Sequence, residues 1–304
     1  MTNERKGLLL VFTTALISGF SIFINRFGVK ETNPYVFTGL KNLIVGIFIF
    51  SLILFFKERK NLVKMKRKQW LSLIVIGLIG GSIPFLLFFK GLTLTLAAKA
   101  SFIHKTLFIY VSILAILFLK EKVSKNLIFG LVSLLIGSIL FLKIKPQALG
   151  IGDLLIFLAT IFWTIEIIIS KKLLKSISPR IVAFGRMFFG SIFIMIFLIL
   201  TGQIQLIAQL NLIQIGWIFV TSLFLLGYVI TFYTGLKYIP ASLATSILTL
   251  GAPITTLLTV VFLEKNLIWQ EIFGLGLIIF GLYLTVKASE IINLKSLKWT
   301  FFCS

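Results

Sequence analysis

Of the nine acidic side chains in this sequence of 304 residues, Glu166 alone sits deep inside an apolar run. Trp163, Glu166 and Ser170 recur at i, i+3 and i+7, so on a helix they share one face. A carboxylate there can exchange a proton or bind a cation, and the indole beside it offers a stacking surface. The bland alternative is an ion pair that locks helix packing. Lys41 and Arg186 each follow a proline by seven residues, Pro34 and Pro179, which places them about 10 Å into their runs. Each could contact an anionic group of a substrate, hold helix-end carbonyls and Glu166 in a gate, or snorkel toward the interface. His104 and Lys105 form the third group. Neighbouring residues on a helix point about 100° apart, so the two do not face one cavity together. An imidazole can relay protons near neutral pH, and it can equally be hydrogen-bonded structure. Charges in hydrocarbon are costly and usually face a cavity or a partner, which makes all five of these ionisable residues candidates for substrate binding or coupling, with Trp163 beside them.

A second set has the chemistry of paths and hinges. Ser242, Thr245, Ser246 and Thr249 make a polar stripe that leads to Gly251 and Pro253. Hydroxyls can line a wet path or bond between helices as glue. Proline inside a helix frees backbone carbonyls and bends the axis, so Pro253, and Pro84 after Gly80-Gly81, mark expected hinges. The single histidine, His104, leaves no His-rich metal site, and the single cysteine, Cys303, leaves no disulfide or CxxC pair. There is no HExxH, GxSxG or P-loop pattern, so neither an enzyme nor a resident metal or cofactor is expected.

The elements that carry these residues follow from composition. The chain is 59% hydrophobic and 13% charged, with a mean hydropathy of +1.10. Soluble domains run near 45–50% apolar and about 25% charged. The apolar runs separate into ten predicted spans near 7–28, 35–56, 70–90, 97–118, 124–142, 151–173, 180–200, 213–234, 239–262 and 267–286. Backbone groups in lipid must be satisfied within the segment, so these are helices and the bilayer is the first partner. The first run lacks a small-x-small cleavage site and is read as a retained span. The net charge of +21 fits cationic loops better than a nucleic-acid surface. Twenty of the 30 Lys and Arg fall on the N-terminal side of the membrane, among them Lys57 to Lys68 and Lys171 to Arg180, and seven on the other, including Arg26, Lys30, Lys145 and Lys265. This bias predicts a multi-pass protein of the cell membrane with both termini cytoplasmic.

An internal repeat organises the whole chain. Residues 91–143 lie over 235–287 at a constant offset of 144, pairing Gly91-Leu92 with Gly235-Leu236, Ile128-Phe129-Gly130-Leu131 with Ile272-Phe273-Gly274-Leu275, and Gly137 with Gly281. One residue more of offset pairs Pro34 and Lys41 with Pro179 and Arg186. The expected units are 1–145 and 146–288, each of five spans, with a short cytoplasmic tail at 289–304. Five is odd, so the second half enters from the opposite side and the repeats are inverted, an arrangement of transporters with the site between the halves. The fold class expected is therefore an all-α polytopic membrane protein of ten helices. The glycines at i and i+7 in spans five and ten read as close-packing faces.

Five plus five helices, the basic residue seven after proline, Phe162-Trp163 in span six, and the segments FLKEK…IFGLVSLLIGSIL and FLEKN…IFGLGLIIFGLYL resemble the drug/metabolite transporter superfamily, EamA type. The likeness covers nearly the whole chain. It implies a secondary transporter, an exporter by family habit, of small metabolites such as amino acids or related carboxylated solutes. Protons or another ion would couple transport, and a homodimer is compatible with it. The halves differ at one place: Gly251-Ala252-Pro253 has no proline counterpart, because Ile109 stands there and span four carries His104-Lys105 instead. The rival readings are a membrane-embedded sensor, a channel, and a polytopic membrane enzyme.

Overall fold

In a computed structural model the described residues are 2–30, 32–95, 97–144, 149–263 and 267–302, and among them the chain is helical without strands. The expected boundary between Lys145 and Pro146 lies outside the described residues, as do Lys145, Lys265 and Cys303 and the side chains of Arg26, Lys30, Lys295 and Lys298. Nine helical stretches there are long and apolar enough to cross a membrane. Four of them are single helices of the first and sixth to eighth runs: α1 (Asn3–Lys30), α9 (Ile151–Leu173), α10 (Pro179–Leu200) and α11 (Leu212–Tyr238). Two more are α2 (Pro34–Phe55) and α14 (Trp269–Phe302), the latter unbroken across the expected start of the tail. The fifth run forms α8 (Lys125–Phe141), which at 17 residues is shorter than the rest. A short helix, α3 (Arg59–Val63), lies in the connection after α2.

The other three stretches are broken. The third run divides at Ser82 into α4 (Arg67–Gly81) and α5 (Ile83–Leu92). The fourth divides at Thr106 into α6 (Ala97–Lys105) and α7 (Leu107–Leu119). The ninth divides into α12 (Ala241–Ile247) and α13 (Gly251–Leu263) around a 3-10 turn at Leu248–Leu250. The span expected over 97–118 is present as Lys99–Leu119, divided at Thr106. Span four has no proline; Thr106 N still bonds the Phe102 carbonyl at 3.1 Å, and the next turn tightens, with Ile109 N on the Thr106 carbonyl at 2.9 Å. At the repeat offset, residues 104–106 match 248–250, so both fourth spans break at the same place.

Starts of helices repeat as well. Asn33 accepts from Tyr35 N and Val36 N ahead of Pro34, and Ser178 accepts from Ile181 N ahead of Pro179. Proline at the first turn gives up a donor that would have no partner there anyway. Large apolar side chains such as Leu117, Phe129, Ile199 and Val261 point outward, as they should when lipid rather than water surrounds the bundle.

The main interfaces run between the halves. The α5 helix packs on α9, and α11 on α1. A Cβ on Gly91 would meet the Gly152 carbonyl at 2.8 Å and Ile156, and one on Gly235 would meet the Gly7 carbonyl at 3.0 Å and Val11. These two sets are images of each other under the repeat. Between α8 and α14, a Cβ at Gly130 meets the Gly281 carbonyl at 2.8 Å, and one at Gly274 meets the Gly137 carbonyl at 2.8 Å. The rising number on one helix against the falling number on the other makes this pair antiparallel. Ser133 donates to the carbonyl of Leu277, its own counterpart, at 2.8 Å, which places a local pseudo-two-fold axis between them.

Candidate functional site

Pro84 has no N–H, so the Gly80 carbonyl four residues earlier loses its helical donor. Two side chains from the second half supply replacements. Trp163 Nε1 donates to Gly80 O at 3.0 Å and Arg186 Nε at 3.3 Å. The neighbouring Gly81 carbonyl accepts from Asn42 Nδ2 at 2.9 Å. No side chain could stand at either glycine, since a Cβ on Gly80 would enter the Glu166 side chain and one on Gly81 the Arg186 backbone. The break in the third span is thus the socket into which α9 and α10 plug.

Glu166 is 0% exposed and closes this cluster. Its Oε1 accepts from Ser170 Oγ at 2.5 Å and from the Tyr233 hydroxyl at 2.6 Å. Arg186 Nη1 stands 3.7 Å from Oε2 and donates to the Tyr233 oxygen at 3.2 Å. Carboxylate, guanidinium and phenol therefore form one connected network across α4, α9, α10 and α11. Such a buried pair holds while both members are present, and removing one leaves an uncompensated charge. Trp163, Glu166 and Ser170 do share a buried face.

Beside this network lies an aromatic group. The His104 and Trp163 rings are 4.8 Å apart, and Phe88 lies 5.5 Å from His104 and 5.7 Å from Trp163. His104 Nδ1 is buried without a hydrogen-bond partner among the described residues. Lys105 turns elsewhere, as the 100° step requires, and its Nζ donates to the Leu248 carbonyl at 3.4 Å. That carbonyl belongs to the 3-10 turn of the ninth span. The two broken fourth helices therefore meet through Lys105. Gly251 adjoins the same place, since a Cβ there would lie 3.1 Å from Ser18 Oγ and 3.5 Å from Lys105 Nζ. Thr245 and Thr249 are buried, and their hydroxyls donate to Ala241 O at 3.0 Å and Ser246 O at 2.7 Å on their own helical turn, while Pro253 is buried just beyond the break.

Lys41 sits apart from the Glu166 network. Its Nζ donates to Asn25 Oδ1 at 2.8 Å and lies 4.9 Å from the Phe37 ring centroid. Neither Lys41 nor Arg186 snorkels outward; they are 9% and 8% exposed. Tyr233 and Asn25 escaped notice in the sequence, because one Tyr or Asn in an apolar run carries no pattern. Glu121 escaped too, although it lies within FLKEK. It caps α12 from another segment, accepting from Ala241 N at 2.6 Å and Ser242 Oγ at 2.5 Å. Its signal was indirect: Pro240, at the N-cap, has no side-chain acceptor of its own. Lys171 likewise closes the end of α11, donating to Leu236 O at 2.5 Å and Ile239 O at 2.6 Å.

The same two halves appear when the chain is compared with known proteins. The EamA-like transporter family matches residues 5–143 and again 150–287. The chain belongs to that family. It is a multi-pass membrane protein, and the names of its relatives are those of transporters. An uncharacterized transporter of Methanothermobacter thermautotrophicus is 23% identical, with 91% of this chain and 86% of that protein aligned. The uncharacterized transporter YyaM of Bacillus subtilis is 25% identical over 92% and 94% of the two chains. The riboflavin transporter ImpX of Fusobacterium nucleatum is 28% identical over 81% and 85%. A solved crystal structure superimposes with a TM-score of 0.77, covering 95% of this chain and 100% of the other at 16% identity, which shows a shared fold alone.

Proposed function

We propose that this EamA-like protein is a secondary transporter that exports small metabolites, amino acids or related carboxylated solutes, by alternating access between two inverted repeats. In this reading α8, the fifth span, brings the nine longer ones to ten, and the basic end, with Glu4 beside Ser289, faces the cytoplasm of a cell membrane. The antiparallel pairing of α8 with α14 about a pseudo-axis supports the inversion, because an axis that reverses a helix lies in the membrane plane. One observation carries the proposal above the rest: both fourth spans break at equivalent residues and meet where Lys105 bonds the Leu248 carbonyl. Discontinuous helices offer unpaired backbone groups to a solute near mid-membrane.

The rings of His104, Trp163 and Phe88 beside these breaks favour a second substrate class, planar heteroaromatic solutes such as the riboflavin in the name of the Fusobacterium relative. Purified protein in liposomes preloaded with amino acids, small carboxylates or riboflavin decides between them. Saturable counterflow of one of these solutes, reduced at least tenfold by Lys105→Gln, is the expected result. Flux that never saturates and shows no counterflow would point to a channel, and absence of flux for every class would sink the transport reading.

A further inference from the structure

The offset of 145 that relates Lys41 to Arg186 also carries Trp163, Glu166 and Ser170 onto Ser18, Ser21 and Asn25 of α1. The two faces are built differently. In the second half, Arg186 finds a carboxylate, a phenol and an indole-bonded carbonyl already in place. In the first half the indole and the carboxylate are both replaced by serine, and Tyr233 is replaced by Phe89 at the offset of 144. Lys41 stands where Arg186 would be. Its partners are Asn25 Oδ1 and the Phe37 ring, and Asn25 Nδ2 in turn donates to Ser21 Oγ at 2.9 Å. Among the described residues no carboxylate pairs with Lys41.

Exposure separates the two faces too. Glu166 and Ser170 are 0% exposed, whereas Ser18, Ser21 and Asn25 are all half-buried. A second lysine approaches the other end of the serine face. Ser18 Oγ and Lys105 Nζ both border the space beside Gly251, and among the described residues the acceptor of Lys105 is the neutral Leu248 carbonyl. Ser18 and Asn25 are seven residues apart, about 10 Å along the helix.

We infer that the Ser18–Ser21–Asn25 face, with Lys41 at one end and Lys105 at the other, binds the carboxylate or phosphate oxyanion of the transported solute. The solute supplies to Lys41 the negative charge that Glu166 supplies permanently to Arg186. The hydroxyls and the Asn25 amide complete the hydrogen bonds of the oxyanion, where serines stand in place of the larger indole and carboxylate side chains. Arg186, already paired, takes no part in this contact and ties α10 to the socket at Gly80. The assignment rests on the transport reading and names the anion-binding wall within it.

The test uses the full chain with Cys303→Ser, which removes the one native cysteine, and Ser21→Cys, a change of a single heavy atom. Two membrane-impermeant thiol reagents of like size are compared in liposomes, anionic sulfonatoethyl methanethiosulfonate and its cationic trimethylammonium counterpart. A lysine a few ångströms away, without a paired carboxylate among the described residues, makes the anionic reagent react about tenfold faster relative to the two reagents' rates on a free thiol. Adding Lys41→Gln removes most of that preference, and Lys41→Arg retains it. A preference for the cationic reagent, a preference unchanged by Lys41→Gln, or no reaction at all at the introduced thiol would overturn the assignment. Intact anionic preference in a protein that shows no solute flux would instead sink the transport reading and leave the anion site standing.

Discussion

Glu166 and Tyr233 hold the buried charge network together. The Tyr233 hydroxyl donates to the carboxylate and accepts from Arg186, so one oxygen couples both charges. Tyr233→Phe removes that oxygen and keeps the ring, at an expected cost of about 1–3 kcal/mol for the stranded polar groups. Thermal unfolding in detergent measures it, and an unchanged midpoint would contradict the network. Glu166→Gln keeps the shape and removes the charge, leaving Arg186 uncompensated. If proton coupling runs through this carboxylate, the variant loses gradient-driven accumulation in liposomes and keeps counterflow. Full accumulation in Glu166→Gln would exclude that role. Glu166 and Arg186 were visible in the sequence because charge is rare in apolar runs. Tyr233 was not, because its value comes from a neighbour 67 residues away along the chain.

At the scale of elements, the broken helices are the joints of an otherwise regular bundle, and their causes differ. Pro84 explains the third-span break and Pro253 accompanies the ninth, both legible from the missing N–H. The fourth-span break at Thr106 has no such marker and shows only in the backbone, where Ile109 N turns to the Thr106 carbonyl at 2.9 Å. Packing along these elements is tight in some places and open in others. Gly81→Ala sets a methyl against the Arg186 carbonyl and within 2.9 Å of the Gly190 Cα, so backbone must move. Overpacking of this kind costs about 1–3 kcal/mol or more. Gly276→Ala meets nothing within 4 Å, and its stability should stay within roughly 0.5 kcal/mol of the parent. Equal effects of the two changes on thermal unfolding would mean that α4 and α10 are not held where the glycines put them.

Over the whole molecule, the halves interlock rather than stand side by side. The α2 helix packs on α10, α5 on α9, α11 on α1 and α8 on α14, each contact crossing from one repeat to the other. Neither half encloses its own share of the core, which includes Val11, Ile167, Tyr233 and Ile278 in one cluster. A chain cut between 145 and 146 should therefore give no cooperative unfolding from either piece expressed alone. Co-expressed, the pieces should assemble and recover the thermal transition of the intact protein. A sharp transition from residues 1–145 by themselves would refute the interlocked arrangement.

The sequence alone determined the medium, the repeat and most of the charged residues, because each depends on local composition or on a fixed spacing. Hydrophobic runs state that lipid is the solvent, and a constant offset states that two halves share one plan. Tertiary structure decided which equivalent residues remain equivalent in chemistry. Lys41 and Arg186 occupy the same place in their repeats, yet among the described residues only Arg186 meets a carboxylate, that of Glu166, while Lys41 meets the amide oxygen of Asn25. Pairing across distant helices depends on three-dimensional approach, and linear spacing carries no record of it.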